Sequence, residues 1–118
     1  MIRFSLLIYI NGIHVVDIQK KLDQKEFISI GRNAELNEIA IKDEAISRQH
    51  FQIVYKETKL ILRRISKVNP VFLNDKEVDF STLENGDCIR IGNSKISIKL
   101  ISLNDLDALE LDGDTRVC

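Results

Sequence analysis

The chain has 118 residues, which is one domain's worth, because domains most often contain roughly 100–150 residues. Hydrophobic residues make up 44% and charged residues 30%, a balance that supports a globular core and argues against a disordered chain. The formal net charge is −1, so a broad nucleic-acid-binding surface is not expected and any anionic partner has to be bound locally.

Residues 1–103 are predicted to form many short strands, each rich in Ile, Val, Leu or Phe and separated by turn-forming residues. The predicted strands are 4–10, 14–18, 27–30, 38–41, 51–55, 60–65, 71–73, 88–91 and 95–101. The predicted turns are Asn11-Gly12, the strongest hairpin signal, then Asn74-Asp75, Asn85-Gly86 and Gly92-Asn93-Ser94.

The last predicted strand illustrates the pattern, because Ile96, Ile98 and Leu100 alternate with polar residues. That alternation predicts one face in the core and the other, which includes Ser97, in water. No helix-length periodic segment or internal repeat interrupts the strands. The spacing therefore predicts an all-β fold, a two-sheet antiparallel sandwich or a barrel.

Residues 104–118 differ from the rest in charge, because they hold five carboxylates against one arginine, a net charge of −4, which leaves +3 on residues 1–103. We expect a domain at 1–103 followed by an acidic tail or linker at 104–118. The leucines behind Asn104, from Leu106 on, allow a short amphipathic helix there. Phosphorylation of Thr115 and its capture by a neighbouring copy is a further hypothesis, although we expect the domain to be a monomer.

The compartment is predicted from cysteine usage and from what the N-terminus lacks. Cys88 and Cys118 are too few for a disulfide framework, which favours a reducing compartment. Residues 1–10 lack the cleavage site of a signal peptide, and no apolar run approaches the ~20 residues of a spanning helix. We expect a cytoplasmic location and no membrane contact by this chain.

Two of the predicted loops carry side chains suited to an anion. Gly31 at a strand end permits a sharp turn, so that Arg32 can project from the end of the sheets. The next loop places a hydroxyl, a guanidinium and an imidazole close together, in Ser47, Arg48 and His50. The hydroxyl and the guanidinium together supply one neutral donor and several charged ones.

A third loop follows Arg63-Arg64 and places Asn69 before Pro70. An asparagine side chain both donates and accepts hydrogen bonds, which suits it to holding the main chain of an extended peptide. Pro70 favours an extended conformation at Asn69.

The order and spacing of these loops closely resemble the forkhead-associated (FHA) domain family over roughly residues 5–101. The motifs that carry the resemblance are Gly31-Arg32, Ser47-Arg48-x-His50, the asparagine loop before Phe72-Leu73-Asn74, and Leu83-x-x-Gly86-Asp87-x-Ile89-x-Ile91-Gly92. The resemblance implies a two-sheet β-sandwich of about eleven strands that binds phosphothreonine peptides at one end, in Ser/Thr kinase signalling, without a cofactor.

The resemblance also implies roles for individual residues. The expected phosphopeptide-binding residues are Arg32, Ser47, Arg48, Lys67, Val68 and Asn69. Within this set Arg32 and Ser47 would bind the phosphate, Arg48 would add charge or a main-chain contact, and Asn69 would hold the peptide backbone. The residues expected to be structural at the site are Gly31, His50 and Pro70, with His50 bracing the loops and acting neither as a base nor as a metal ligand.

Two positions depart from the family pattern. The residue before the loop asparagine is usually a threonine that reaches the phosphate, and here it is Val68, which loses a bond worth roughly 1–2 kcal/mol. The glycine that usually follows the asparagine is Pro70, which stiffens the loop and lacks a backbone donor. Lys67 and Ser66 are close enough in sequence to compensate.

The same residues do not fit an enzyme or a metal site. A hydrolase triad of Asp43, Ser47 and His50 lacks the strand-turn-helix elbow and an oxyanion nest, so we expect no enzyme. His14, His50 and the two cysteines lack metal-ligand spacing, so no metal is expected.

Nucleic acid and phosphate-independent protein binding are the two remaining alternatives. A basic rim that includes Arg63 and Arg64 lacks the interleaved aromatic residues that stack on bases, so nucleic acid is not an expected partner. The serious alternative is phosphate-independent protein binding or oligomerisation through a sheet face, which Val68 and Pro70 favour.

Overall fold

The computed structural model describes residues 1–101, which fold into eleven β-strands joined by turns and loops. The strands are β1 (Ile2–Ile10), β2 (Ile13–Leu22), β3 (Phe27–Gly31), β4 (Ile39–Ala40), β5 (Phe51–Lys56), β6 (Lys59–Arg64), β7 (Val71–Leu73), β8 (Lys76–Val78), β9 (Phe80–Leu83), β10 (Cys88–Ile91) and β11 (Ser94–Ile101). The all-β prediction and the implied number of strands are both confirmed.

The strands form two sheets that pack face to face. One sheet has the order β2-β1-β11-β10-β7-β8, and the other has the order β4-β3-β5-β6-β9. Neighbouring strands are antiparallel with one exception, because β4 pairs in parallel with β3 through Ile30↔Ile39 and Gly31↔Ala40. The purely antiparallel prediction is corrected there, since the loop after β3 doubles back and lets β4 run in the same direction.

The core lies between the two sheets and is filled by alternate residues of the strands. The largest fully buried side chains include Phe4, Phe51, Leu62, Ile89 and Ile96. Burying one such side chain stabilises the fold by roughly 1.5–3 kcal/mol, so the sandwich is held by its two inner faces. The loops at its ends are then free to carry polar side chains.

Several strand boundaries differ from prediction for local reasons. Strands β8 and β9 were not predicted, because their residues are mostly polar or exposed. The predicted strand 38–41 shrinks to Ile39–Ala40, and β2 runs on to Leu22 through polar residues that an edge strand can expose to water.

Ser97 corrects the expectation for the last strand. It lies on the polar side of β11 but is fully buried. Ser97 pairs in register with Leu7 on one neighbouring strand and Cys88 on the other, so a small side chain lies between two larger ones near the centre of the sheet. Alternation alone therefore does not decide its burial.

The connections at the two ends of the sandwich differ in length. At one end lie the segments 32–38, 41–50 and 65–70, which contain the loops selected from the sequence.

Within residues 1–101 no helix is present that could cross a membrane. The predicted tail helix and Thr115 lie outside the described residues.

Candidate functional site

The three long segments at one end of the sandwich enclose an open groove of about 540 Å³. All six residues expected to contact a phosphopeptide line it. The complete lining is Arg32, Glu44, Ile46, Ser47, Arg48, Gln49, Ile65, Ser66, Lys67, Val68 and Asn69. Residues from three separate parts of the chain therefore form one surface.

Arg32 is tied to the neighbouring loop by its backbone and by one side-chain nitrogen. Its backbone N–H donates to the Ser47 carbonyl at 3.0 Å, and its Nε donates to the Ile46 carbonyl at 3.0 Å. The residue is exposed, and no described residue accepts from its terminal guanidinium nitrogens. These contacts fix the side chain at the groove and leave the two terminal nitrogens available to a ligand.

The Ser47 hydroxyl belongs to a small hydrogen-bond network on the groove floor. Its Oγ lies 2.6 Å from the Oγ of Ser66 and accepts from the Nδ2 of Asn69 at 2.8 Å. The Oγ of Ser66 also accepts from the backbone N–H groups of Val68, at 3.3 Å, and Asn69, at 2.9 Å. The network joins two loops that are far apart in the sequence.

His50 is fully buried and holds the same two loops together from below. Its Nδ1 accepts from the backbone N–H of Ser47 at 3.2 Å, and its Nε2 lies 2.9 Å from the Pro70 carbonyl. Because Nδ1 accepts, the imidazole is neutral and carries its proton on Nε2, which donates to Pro70. The backbone N–H groups of Ile65 and Ser66 donate to the His50 carbonyl and extend the brace.

The environment of His50 supports the neutral form. Burial lowers the pKa of His50 below its ordinary value of 6.5, although the hydrogen bond to Pro70 raises it. The positive charge of Arg64 lowers the pKa further, and the carboxylate of Asp43 opposes this. The net shift is downward, so His50 is uncharged at neutral pH.

Gly31 makes room for the loop that carries Arg48. A Cβ at Gly31 would collide with the carbonyl oxygen of Arg48 and would lie 2.8 Å from the Asn37 Nδ2. That carbonyl accepts from the Asn37 side chain and from the Asn33 backbone N–H. The glycine is required by close packing of backbone on backbone, which the sequence reasoning had attributed to a sharp turn.

Asp43 anchors the start of the 41–50 segment to the β10–β11 turn. Its carboxylate accepts from the backbone N–H groups of Ala45 and Asn93 and from the Ser94 hydroxyl, at 2.8–2.9 Å. Burial raises the pKa of Asp43, but these hydrogen bonds outweigh it and hold the pKa below its usual value. The carboxylate is directed at this turn, and no described hydrogen bond joins it to the side chains of Ser47 or His50.

The basic residues in and beside the groove loops have two different roles. Arg48 and Lys67 are exposed at the groove, and no described residue pairs with their side-chain charges. Arg64 instead donates to the Ser66 carbonyl at 2.7 Å and to Asp79 at 3.1 Å. Arg64 therefore braces the third loop, and the cations of Arg48 and Lys67 remain available to a ligand at the groove.

The two departures from the family pattern have different structural consequences. Val68 is 84% exposed and presents only an apolar side chain to the groove. Pro70 has no backbone donor, but its carbonyl lies 2.9 Å from the His50 Nε2, which anchors the loop at this position. Among residues 1–101, no group of three or more His, Cys, Asp or Glu side chains is arranged to hold a metal ion.

Several residues important to the site were missed from the sequence. Asn33 and Asn37 brace the first loop, since Asn33 Oδ1 accepts from the Glu35 and Leu36 backbone, a capping habit typical of asparagine in turns. Asp43 was considered only as a member of a triad, and Glu44 and Gln49 were not considered as lining. The two asparagines in the first loop were a usable sign of turn bracing. Nothing in the sequence around Asp43 indicated its long-range hydrogen-bond partners.

Comparisons with known proteins agree with this architecture. The family model of the FHA domain matches residues 28–92. An FHA domain-containing protein of Arabidopsis thaliana is 29% identical over 92 residues, which cover 75% of this chain and 24% of that protein. The chain thus spans about a quarter of that relative's length.

Solved structures of FHA domains share the fold. The solution structure of an FHA domain from an Arabidopsis thaliana hypothetical protein has a TM-score of 0.77 and 25% identity, covering 88% of this chain and 90% of that one. A structure from a study of phosphothreonine-dependent FHA domain interactions has a TM-score of 0.70 and 23% identity, covering 84% of this chain and 99% of that one. The family match spans more than half of the chain and includes the loops that form the groove, and this protein belongs to the FHA domain family.

Proposed function

We propose that this FHA domain binds proteins phosphorylated on threonine and serves as an interaction module in Ser/Thr kinase signalling. The observation that carries the proposal is the convergence of three exposed cationic side chains, those of Arg32, Arg48 and Lys67, beside the Ser47 hydroxyl in one groove. None of the three cations has a carboxylate partner among residues 1–101. A phosphate group would supply the missing negative charge.

The chemistry of the groove matches a phosphate ester in sign and geometry. Phosphothreonine carries about −1.5 to −2 charges and three acceptor oxygens, and each charge-assisted hydrogen bond to it is worth roughly 1.5–3 kcal/mol. Three such bonds, less the cost of ordering a flexible peptide, correspond to micromolar affinity by order of magnitude. Because the cations are exposed, binding should weaken as salt is added.

Asn69 is placed to bind the peptide main chain as well as to brace the site. Its Nδ2 donates one hydrogen to Ser47, which fixes the plane of the amide beside the groove. No described residue bonds to its Oδ1, and Asn69 lines the same groove, so this oxygen can accept from a peptide N–H. This arrangement supports the role in peptide binding that the family resemblance implies.

The test is a fluorescence-anisotropy titration with a degenerate phosphothreonine peptide pool, beside its unphosphorylated and phosphoserine counterparts. We expect micromolar binding of the phosphothreonine pool alone, and a loss of about a hundredfold in Arg32→Ala, because two charge-assisted bonds are removed. Arg63→Ala is the matched control, since Arg63 is exposed on β6 away from the groove lining. Equal binding of the phosphorylated and unphosphorylated pools would contradict the proposal.

The outer face of the five-stranded sheet favours a second function, phosphate-independent binding of a partner protein. Phe27, Val54 and Ile61 pair in register across β3, β5 and β6, so three apolar side chains form one row on the face turned away from the core. Phe27 is 50% exposed, and Phe80 on the edge strand of the same sheet is 63% exposed. Exposed apolar residues that adjoin across strands are typical of interaction surfaces.

The two functions are separated by one pair of variants. A partner protein held by this face should be lost with Ile61→Ser and retained with Arg32→Ala, whereas a phosphorylated partner should show the reverse. The titration above therefore includes Ile61→Ser, for which we expect unchanged affinity for the phosphothreonine pool.

A further inference from the structure

We infer that Ser66 is a positioning residue, which directs the hydroxyl proton of Ser47 into the groove and so makes Ser47 a donor to the bound phosphate. The inference rests on the proposed function, because it specifies how one group of that site meets its ligand. The hydrogen and the lone pairs of each hydroxyl in the Ser66–Ser47 pair determine which of the two donates.

The Ser66 hydroxyl has only one way to satisfy its contacts. A serine hydroxyl has one hydrogen to donate and two lone pairs that accept. Both lone pairs of Ser66 are occupied, by the backbone N–H groups of Val68 at 3.3 Å and Asn69 at 2.9 Å. The 2.6 Å contact between the two hydroxyl oxygens must therefore use the hydrogen of Ser66, which donates to Ser47.

The same count fixes the role of Ser47. Its Oγ accepts from the Ser66 hydroxyl at 2.6 Å and from the Asn69 Nδ2 at 2.8 Å, which occupies both lone pairs. Its own hydrogen has no acceptor among residues 1–101, and the residue lines the groove. Ser47 can therefore meet a ligand only as a donor, and only a group with a free acceptor oxygen fits.

Burial and cooperativity make Ser66 the controlling member of the pair. Ser66 is buried, at 8% exposure, and its backbone N–H donates to the His50 carbonyl at 3.0 Å, so the hydroxyl is fixed from both sides. A hydroxyl that accepts two hydrogen bonds is polarised and becomes a stronger donor in its turn. The chain from the Val68 and Asn69 amides through Ser66 to Ser47 therefore ends in a strengthened O–H directed to the anion.

This chain of hydrogen bonds explains how the loop can act on the phosphate without a hydroxyl at position 68. Val68 contacts the groove with an apolar side chain, but its backbone N–H is one of the two donors that orient Ser66. The loop thus contributes to phosphate binding through its backbone and Ser66, rather than through a hydroxyl of its own at position 68. Ser66 compensates by strengthening an existing donor and does not itself contact the ligand.

A double-mutant cycle on the full chain tests the inference, with the phosphothreonine peptide pool as probe. We expect Ser66→Ala to weaken binding about five- to tenfold, the cost of one cooperative hydrogen bond. In the Ser47→Ala background the same change should cost less than about twofold, because the hydroxyl through which Ser66 acts is absent. Ser66→Thr keeps the hydroxyl and should restore affinity to within about twofold of the original chain.

The cycle also separates positioning from a structural role. Ser66→Ala leaves the Val68 and Asn69 amides without their acceptor in either background, so a loss that arises only from loop disorder would persist in Ser47→Ala. Equal penalties in the two backgrounds, or Ser66→Ala binding as tightly as the original chain, would overturn the inference while leaving the proposed function intact. Failure of the original chain to bind the pool would overturn both.

Discussion

The short turns and the long loops of the sandwich are ordered by different means. At the end away from the groove, β5–β6 and β7–β8 are closed by two-residue turns, Glu57-Thr58 and Asn74-Asp75, in which all four residues have positive φ. At the groove end, the short turns at 11–12 and 92–93 lie beside three long segments, which are held by side chains from distant parts of the chain, such as His50 and Asp43.

The difference separates the groups that order the groove from the groups left for a ligand. A two-residue turn satisfies its own backbone and leaves little room for converging side chains. The long loops require internal bracing, and the buried groups His50, Asp43 and Ser66 supply it. Of the exposed cations, Arg32 adds one guanidinium nitrogen to this bracing, and its two terminal nitrogens, together with Arg48 and Lys67, remain available for binding.

The largest expected effect comes from breaking the close packing at Gly31. We expect Gly31→Ala to destabilise the protein by about 3 kcal/mol, because the added Cβ overlaps the Arg48 carbonyl and displaces the loop backbone. Urea unfolding measures the change.

Gly12→Ala is the matched control for that substitution. Gly12 has φ +79 and nothing within 4 Å of an added Cβ, so its substitution adds conformational strain alone, about 1 kcal/mol. Equal costs at the two glycines would show that the contact with Arg48 is not what constrains position 31.

A smaller effect is expected from protonating the His50 brace. Because the pKa of His50 is lower in the folded chain than its ordinary value of 6.5, the unfolded chain binds the proton more readily. The stability contributed by neutral His50 is complete above about pH 6.5 and is lost as the pH falls toward the folded pKa. Urea unfolding between about pH 7.5 and 5 should therefore show a steeper loss for the original chain than for His50→Gln.

The exposed histidine provides the comparison for this pH dependence. His14 lies on β2 and bonds to Asp17, away from the groove. His14→Gln removes a histidine and leaves the His50 brace intact, so it is the control variant for the loss of a histidine as such. Identical slopes for the original chain and His50→Gln would mean that protonation of His50 does not control the stability of the loops.

The smallest expected effect is a gain at the opposite end. Thr58 has φ 70, a conformation that a β-branched residue adopts only with strain. We expect Thr58→Gly to stabilise the protein by about 0.5–1 kcal/mol, since relief of strain exceeds the added entropy of the unfolded glycine. Phosphopeptide affinity should not change, and a change of more than about twofold would mean that the two ends are coupled.

The fold was largely predictable from the sequence because its signals are local. The Asn11-Gly12 and Asn74-Asp75 turns both have the positive φ values that hairpin turns of this kind require. Strands with apolar residues on one face were found, whereas β8 and β9 were missed because short polar edge strands resemble loops. The parallel β3–β4 pair depends on the path of the intervening loop, which no local pattern records.

The residues that line the site were predictable from the sequence, but the hydrogen bonds among them were not. Arg32, Ser47 and Asn69 were selected by the spacing of loop motifs, and all three line one groove. The direction of the hydrogen bond between Ser66 and Ser47 depends on backbone amides that meet the Ser66 hydroxyl only after the loop has folded. Residue types indicate which groups could bind an anion, and the geometry decides which of them are already occupied.

The most direct test of phosphopeptide binding in the groove is an amide chemical-shift titration of the isotope-labelled chain. The titration uses the phosphothreonine pool and its unphosphorylated counterpart. If phosphate binds in the groove, we expect phosphate-dependent shifts confined to segments 31–33, 46–50 and 65–70, with the turns at 57–58 and 74–75 unchanged. Shifts concentrated on the outer face around Phe27, Val54 and Ile61, or shifts of equal size with the unphosphorylated pool, would contradict it.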